Sequence, residues 1–529
     1  MTARGFRRWL VILLVSLAAA AHAGESARRI GRITVQAFNV YSPEETATGL
    51  PYRAINALHF RTKESIIRRF LLFKEGDTLA PYLVTESERN LRALPFLKSV
   101  AITTGPDGDT AANVTVTTQD SWTTEPAVSF ALKGGETLYG FELKEKSLFG
   151  TGRALLFNYD KQLDRTVRSL IYRDPILIGP YWYGEALFAW LSDGWEKAGL
   201  IERPFYTFTA GWALRTYFDD SRQSAWIYQD ARVVSQFRHA HTQFQGQVGV
   251  ALLASQRLAR RLTFGFDGID DRFDSTQYHA DNLRPANRRF RYLTLGYEDV
   301  ANDYLKLNYV NRDQRFEDIN LGHQLTAVVG VSPSAFGTPR SILRFSMAGQ
   351  KGFRIAEQSY QLTSVSFESR WDRRPQNAIL TATAGCVLKF ESPILQTTVA
   401  RLQFKQGWNL DLDKQFYADE EYGLRGYRPY VFAGDMSLIA NLEQRIFYGH
   451  ELLQLVSPGL ALFCDIGATG RSGQWRSMDF ATDVGVGLRL GLPRAAQHNV
   501  IRIDFAYALR PDPLGRKGWL ISIASKQAF

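Results

Sequence analysis

Cysteine is almost missing from this chain: two residues, Cys386 and Cys464, in 529. They lie far apart and match no metal spacing, which excludes a disulfide scaffold and leaves two isolated thiols packed as small hydrophobes. Charge is also sparse, at 22% of residues, and mixed in sign, with 63 Lys+Arg against 53 Asp+Glu. A disordered chain or a coiled coil does not have this composition. No block of five basic residues occurs, so the positive surplus is too diffuse to bind nucleic acid. Long apolar runs are missing too. Beyond the N-terminus none reaches the roughly 18 residues that a membrane-crossing helix needs, so any membrane span must be a β-barrel.

The N-terminus sets the compartment. Arg4, Arg7 and Arg8 precede an apolar run over residues 9–20, and Ala21 and Ala23 stand at the small-residue positions of a cleavage site before Gly24. This reads as a cleaved secretory signal over residues 1–23, because the run, at about 12 residues, falls short of the roughly 20 that an anchoring helix requires. Its removal takes three arginines from the formal charge of +10, leaving +7.

Residues 24–122 carry a mixed pattern. Residues 30–40 alternate like a strand. Residues 62–73 read as a helix with Ile66, Ile67, Phe70 and Leu71 on one face. A second helix is expected over 81–94, with Pro81 near its start and Leu83, Ser87, Leu91 and Leu94 on one side. Strands follow at 98–104 and 111–118, separated by a turn signal at Gly105-Pro106-Asp107-Gly108. A β-α-α-β-β unit of this size folds alone.

From residue 123 to 529 helical periodicity disappears. Alternating segments divided by polar, Gly-, Pro- and Asp-rich breaks take its place, the signature of a transmembrane barrel. In 205–215, Tyr206, Phe208, Ala210, Trp212 and Leu214 fall on one face. In 483–491, Val484, Val486, Leu488 and Leu490 oppose Gly485, Gly487, Arg489 and Gly491. In 501–509, Ile501, Ile503, Phe505, Tyr507 and Leu509 oppose Arg502, Asp504, Ala506 and Ala508. The first face suits lipid and the second a wet lumen. A soluble β-sandwich also alternates. The repeat length and the aromatics Tyr181, Trp182, Tyr183 and Trp190, placed like an interfacial girdle, favour the barrel. Trp519, Ile521, Ile523 and Phe529 share one parity at the C-terminus, where a closing strand ending on an aromatic resembles the recognition signal of outer-membrane barrels. Between 16 and 20 strands are countable from the pattern.

The stretch 421–430 sits between alternating segments and reads as a loop. With Arg425 between Leu424 and Gly426, and Tyr427 and Tyr430 beside it, the loop is too apolar for a solvated tip. Folded into the barrel, its guanidinium would require carboxylates, since an unpaired member of a buried ion pair costs roughly 3 to 5 kcal/mol. Glu443 and Arg445 share the polar face of 437–447. Asp465 shares a face with Phe463 and Gly467, the glycine leaving room for a close approach. From spacing alone, an ordinary exposed loop arginine is an equal reading of Arg425.

Leu424-Arg425-Gly426-Tyr427, followed by Asn441-Leu442-Glu443, Phe463-Cys464-Asp465-Ile466-Gly467, the run 483–490 and Asp504-Phe505-Ala506-Tyr507, resembles the ordered motif set of the bacterial surface-antigen superfamily, the BamA/TamA-like outer-membrane proteins. Residues 147–153, 172–175 and 203–206 are similar to that family's early barrel strands. Residues 66–102 resemble a POTRA domain. The resemblance implies a transmembrane β-barrel of sixteen antiparallel strands over 123–529, preceded by one small α+β periplasmic POTRA domain over 24–122. It further implies a sixth extracellular loop whose arginine, matching Arg425, enters the lumen to meet the aspartate matching Asp465, and a weakly closed seam between first and last strands. Arg425, Gly426, Tyr427, Glu443, Asp465 and Gly467 would form the lumen loop lock. The chain departs from the family's best-known members in having one POTRA unit, with an extra stretch at 41–61 inside it.

The function expected from this is protein assembly or export across the outer membrane of a Gram-negative bacterium. The expected partners are outer-membrane lipid, an unfolded client or secreted passenger protein, and periplasmic accessory proteins. A passive solute channel or a lipid-handling barrel is the alternative. No enzyme, cofactor or metal is expected: the seven His beyond residue 23 are scattered and no His-Glu-x-x-His or Gly-x-Ser-x-Gly occurs. His239 and His241 read as a solvated loop pair.

Overall fold

The structure, a computed structural model, describes residues 28–529 apart from 48, 108–110, 134–135, 163, 276–283, 312, 339, 454, 496–499, 525–526 and 528–529. The signal segment 1–23 and Phe529 therefore lie outside the described residues.

The N-terminal layer is a three-stranded sheet of β1 (Arg29–Phe38), β2 (Leu97–Asp107) and β3 (Ala111–Asp120), in the order β1-β3-β2. The central strand β3 pairs parallel with β1 and antiparallel with β2. Its sequence alternates because one face is covered: Ala112, Val114, Val116, Thr118 and Asp120 are buried. Between β1 and β2 come helices α1 (Pro43–Ala47), α2 (Leu50–Leu58), α3 (Glu64–Arg69) and α4 (Pro81–Ala93). The stretch 41–61 thus supplies two helices of its own. The helix read at 62–73 is shorter than its periodicity suggested, ending at Arg69, although Phe70, Leu71 and Phe73 still reach the core with Ile66, Ile67 and Leu91. The turn read at 105–108 is displaced, because β2 runs on to Asp107 and pairs Pro106 with Ala112. A proline is tolerated there since β2 is an edge strand and needs no outward donor.

The rest of the chain forms a closed ring of twenty strands in which sequence neighbours pair antiparallel. Twenty replaces the expected sixteen. Short hairpins such as Tyr183–Leu191 with Gly194–Arg203 are full members of the ring, and parity alone does not distinguish a wall hairpin from one outside the wall. The segment 205–215 was also misread: residues 204–211 form a connection, Phe208 and Ala210 are buried, and the strand is Trp212–Gln229. Phe208 packs on Ala259, Val300 and Tyr304 rather than facing outward. The C-terminal segments behave as their parity suggests. Val484, Val486 and Phe505 are exposed on the outer wall, whereas Arg489, Arg502 and Asp504 are buried inside. Phe157, Leu170, Phe244, Leu295, Leu402 and Leu462 continue the apolar outer belt around the ring.

The ring closes between Trp519–Ala524 and Thr124–Lys133, and here the pairing is thin. Ile521 opposite Leu132 and Ser522 opposite Ala131 are the described pairs, whereas Trp212–Gln229 pairs with its neighbour along its whole length. Trp519 and Ile521 are exposed on the outer face of this last strand, and Ile523 is half-buried.

The N-terminal layer is fastened to one end of the ring. The backbone of Lys63 donates to Gly150 O at 3.0 Å, Arg92 pairs with Asp318 at 2.9 Å, and Arg315 donates to Leu94 O at 2.8 Å. Tyr181, expected in a girdle, instead stacks on Tyr206 and donates its hydroxyl to Leu71 O at 2.9 Å. Ile176, from a barrel turn, is part of the layer's own apolar core.

At this junction Asp120 is fully buried; its Oδ2 accepts the Thr62 N–H at 2.7 Å and its Oδ1 has no hydrogen-bond partner. Burial pushes its carboxyl up to about 6. Between the ordinary aspartate value and this one the folded state holds the extra proton, so stability falls as pH rises through that window. Asparagine keeps the acceptor and removes the charge. The stability of Asp120→Asn relative to wild type should therefore grow by roughly 2 kcal/mol from pH 4 to pH 8. Urea midpoints of this layer, followed in the full chain by hydrogen exchange of residues 111–120, measure the gap; an equal gap at both pH values would exclude a buried-charge penalty.

Candidate functional site

The long connection 409–435 leaves the strand Gln396–Trp408 at the end of the ring away from the N-terminal layer and folds inward. It is the eighth connection on that side rather than the sixth, because the ring has four strands more than expected. Its path is fixed by charge and aromatic contacts on both sides of the lumen. Asp411 pairs with Arg288 at 2.8 Å and Arg370 at 2.6 Å, and Asp413 pairs with Arg288 at 2.9 Å. Tyr430 stacks on Tyr228 with ring centroids 4.1 Å apart, on a strand nearly opposite in ring order.

The tip is held by its own backbone before any wall contact. Leu424 N–H donates to Asp419 O at 2.7 Å, Glu420 N–H to Tyr427 O at 3.0 Å, and Tyr430 N–H to Asp419 Oδ2 at 2.7 Å. Such a tight turn presses residue 426 against the wall: a Cβ there would stand 2.6 Å from the Asp483 Cβ, so only glycine fits. Gly467 likewise faces Leu424 and Ile439, where a Cβ would come within 3.2 Å of both. Tyr427 is buried and donates its hydroxyl to the carbonyls of Thr482 and Arg510, each at 3.1 Å.

Arg425 is 2% exposed. Its Nε and Nη2 grip Asp465 as a fork, at 2.7 Å to Oδ2 and 3.0 Å to Oδ1, while Nη1 donates to Glu443. The guanidinium lies 3.5 Å from the centre of the Phe463 ring, which covers its face. Asn441 donates to Asp465 Oδ1 at 2.8 Å and to Gly423 O at 2.6 Å, joining carboxylate and loop backbone. The structure therefore brings Arg425, Gly426, Tyr427, Glu443, Asp465 and Gly467 together. The C-terminal set Trp519, Ile521 and Ile523 lies apart, at the seam.

Four further residues join them, of which the sequence places Arg445 on the polar face with Glu443 but assigns none to the lock. Arg445 donates to Glu443 Oε1 at 2.7 Å, Arg489 approaches Glu443 at 3.2 Å and Asp504 at 2.6 Å, and Arg502 reaches Asp504 at 3.3 Å. All are buried. The signal was present, since Arg489, Arg502 and Asp504 have the inward parity of their strands. What parity lacks is the ring order that sets those strands side by side.

A second segment, residues 302–323, enters from the opposite end as a small hairpin of Tyr304–Leu307 with Glu317–Asn320. Leu305, Leu307, Val310 and Leu321 pack on Tyr360, Val387 and Val399 of the inner wall. Its Val310 O accepts from Arg445 Nη1 at 2.6 Å. The lumen is thus entered from both ends, and the two segments meet at the Glu443–Arg445 pair.

Removing the Arg425 side chain strands Glu443 and Asp465 without their main cation. Arg425→Ala should cost about 3–5 kcal/mol and lower the temperature at which the detergent-solubilised barrel loses its compact form on an unboiled gel. Arg425→Lys, which keeps the charge but not the fork, should fall between. A transition temperature unchanged in Arg425→Ala would remove the ion pair from the account of barrel stability.

No family model matches the chain, and no curated protein matches it. Among solved structures, the chain is similar to CdiB from Acinetobacter baumannii, at 10% identity and a TM-score of 0.48 over 94% of this chain and 73% of that one. It is also similar to CdiB from Escherichia coli, at 12% and 0.45 over 94% and 76%. A third is BamA from Haemophilus ducreyi lacking POTRA domains 1–3, at 11% and 0.38 over 94% and 85%. Overlaps this low leave the chain's own geometry to carry any functional reading.

Proposed function

We propose that this chain is an outer-membrane barrel of a Gram-negative bacterium that assembles or exports client proteins, with its N-terminal layer serving as a single periplasmic POTRA domain. The observation that carries the reading is a lumen entered by a folded segment from each end, in a ring whose last and first strands share two pairs among the described residues. A ring with an apolar outer belt and charges inside suits a bilayer. A solute channel needs an open bore, and here residues 302–323 and 409–435 occupy it. Cargo handled by such a barrel would engage the seam, where two pairs, Ile521 with Leu132 and Ser522 with Ala131, join the last strand to the first among the described residues.

The N-terminal layer suits the same task. Among the described residues β2 is unpaired on its outer side, so an extended client segment could add to it by β-augmentation. Its fastening around the ring end would deliver that segment close to the wall. The lipid of the outer membrane is then the surrounding medium, the client is an unfolded or secreted protein, periplasmic accessory proteins are further partners, and no covalent step is catalysed.

Two measurements test this. Proteomics of the outer membrane and culture medium after deletion of the gene should show loss of one or a few barrel or secreted proteins; an unchanged proteome with altered solute uptake would favour the channel. Cysteines introduced at the paired positions Leu132 and Ile521, with Cys386 and Cys464 replaced by serine, should block that activity when oxidised and restore it when reduced. Full activity of the oxidised barrel would exclude the seam as the working element.

A further inference from the structure

His239 and His241 do not lie in a loop. Both belong to the strand Arg232–Ala254, two residues apart, so their side chains leave the same face, and both are half-buried towards the lumen. Asp271, on the adjacent strand Leu258–Ser275, stands opposite His241 in register. His239 Nε2 and His241 Nδ1 each lie 2.8 Å from the same Asp271 oxygen, Oδ1, and the three candidate donor atoms all fall within 4.8 Å of one another.

We propose that His239, His241 and Asp271 form a binding site for a divalent transition-metal ion of the zinc class. Two imidazole nitrogens and one carboxylate oxygen, with no thiolate, are the donor set of three-ligand zinc sites that keep a fourth position open. Two ligands at i and i+2 on a strand with a third directly across the ladder converge on one point without any loop. A tetrahedral ion with bonds of about 2.0 Å separates its donors by roughly 3.3 Å, so each histidine withdraws from Asp271 by about half an ångström while the two ring nitrogens, within 4.8 Å of one another, settle at that same spacing.

The surroundings are built like an outer shell. Arg288 Nε donates to the other Asp271 oxygen at 3.1 Å, which leaves Oδ1 as the metal-facing atom. The His239 ring stacks on Phe273 with centroids 4.5 Å apart and planes 7° apart, which fixes its direction. A cavity of about 460 Å³ adjoins the three side chains, room for a water at the open position; Glu196 and Asp219 line it, as do Arg344, Arg370 and Lys414. Motif reading misses the site because its two-histidine patterns are spaced for a helix turn rather than for a strand.

The test uses the full-length, tag-free protein in detergent, stripped with a chelator and titrated with Zn²⁺ against a chromophoric competitor. One equivalent should bind with a Kd of about 1 µM or below. His239→Ala and His241→Ala should each weaken it roughly 100-fold, while His323→Ala, at a histidine outside the cavity, should leave it unchanged. Co²⁺ in the same site should give the visible absorption of a four-coordinate ion without a thiolate band, a readout that needs no variant. Failure to bind one equivalent, equal binding in both cavity-histidine variants, or a six-coordinate Co²⁺ spectrum would each overturn the proposal.

Discussion

A guanidinium buried in a protein-lined lumen must find its carboxylates, and that requirement organises the whole interior. Arg425 is reached from the wall by Asp465, Glu443 and, at 3.7 Å, Asp504. Glu443 and Asp504 are in turn held by Arg445, Arg489 and Arg502, and Asp465 by Asn441. Each charge is stranded if a neighbour leaves, so the loop tip and the inner faces of four wall strands behave as one unit. Breaking such a network by removing one member is far more costly than never having built it.

The same network reaches the opposite end of the molecule. Arg445 divides its donors between Glu443 and the carbonyl of Val310, so the segment 302–323 is tied to the loop through a single side chain. That segment is in turn tied to the N-terminal layer by Arg92 with Asp318 and by Arg315 with the carbonyls of Leu94 and Pro95. A contiguous chain of polar contacts thus runs from helix α4 to the tip of the long loop. The loop tip and the N-terminal layer are joined by side chains and backbone rather than separated by an open bore.

Legibility in the sequence follows from what each signal measures. Alternation is a local property, so the inward face of 457–470 and 481–491, with Asp465 and Arg489 upon it, is readable from residue types alone. The pairing of Arg425 with Asp465 is suggested by the need to neutralise a buried arginine, and the motif order of a known family points to the same residues. Strand number is not local. A hairpin inside the wall and one outside it have the same parity, and sixteen strands were expected where the ring has twenty. Connections are also opaque: residues 205–211 keep alternating after the strand has ended, because Phe208 is buried against Ala259 and Val300 rather than against a sheet neighbour, and Ala210 is buried as well. His239 and His241 look unremarkable in one dimension, since the carboxylate that gives them meaning lies on the next strand.

The seam draws these features into one energetic argument. Every other pair of neighbours in the ring is zipped along most of its shared length, but Trp519–Ala524 meets Thr124–Lys133 at Ile521 and Ser522 alone among the described residues. In hydrocarbon an unpaired backbone amide or carbonyl has no water to fall back on, and each costs several kcal/mol. Each ladder pair at the closure, Ile521 with Leu132 and Ser522 with Ala131 among the described residues, avoids that penalty. The lock at Arg425 meets the strands 457–470 and 500–508, the second of which pairs with the final strand. The lock therefore braces the wall strand beside the closing one, so loop packing and ring closure support each other.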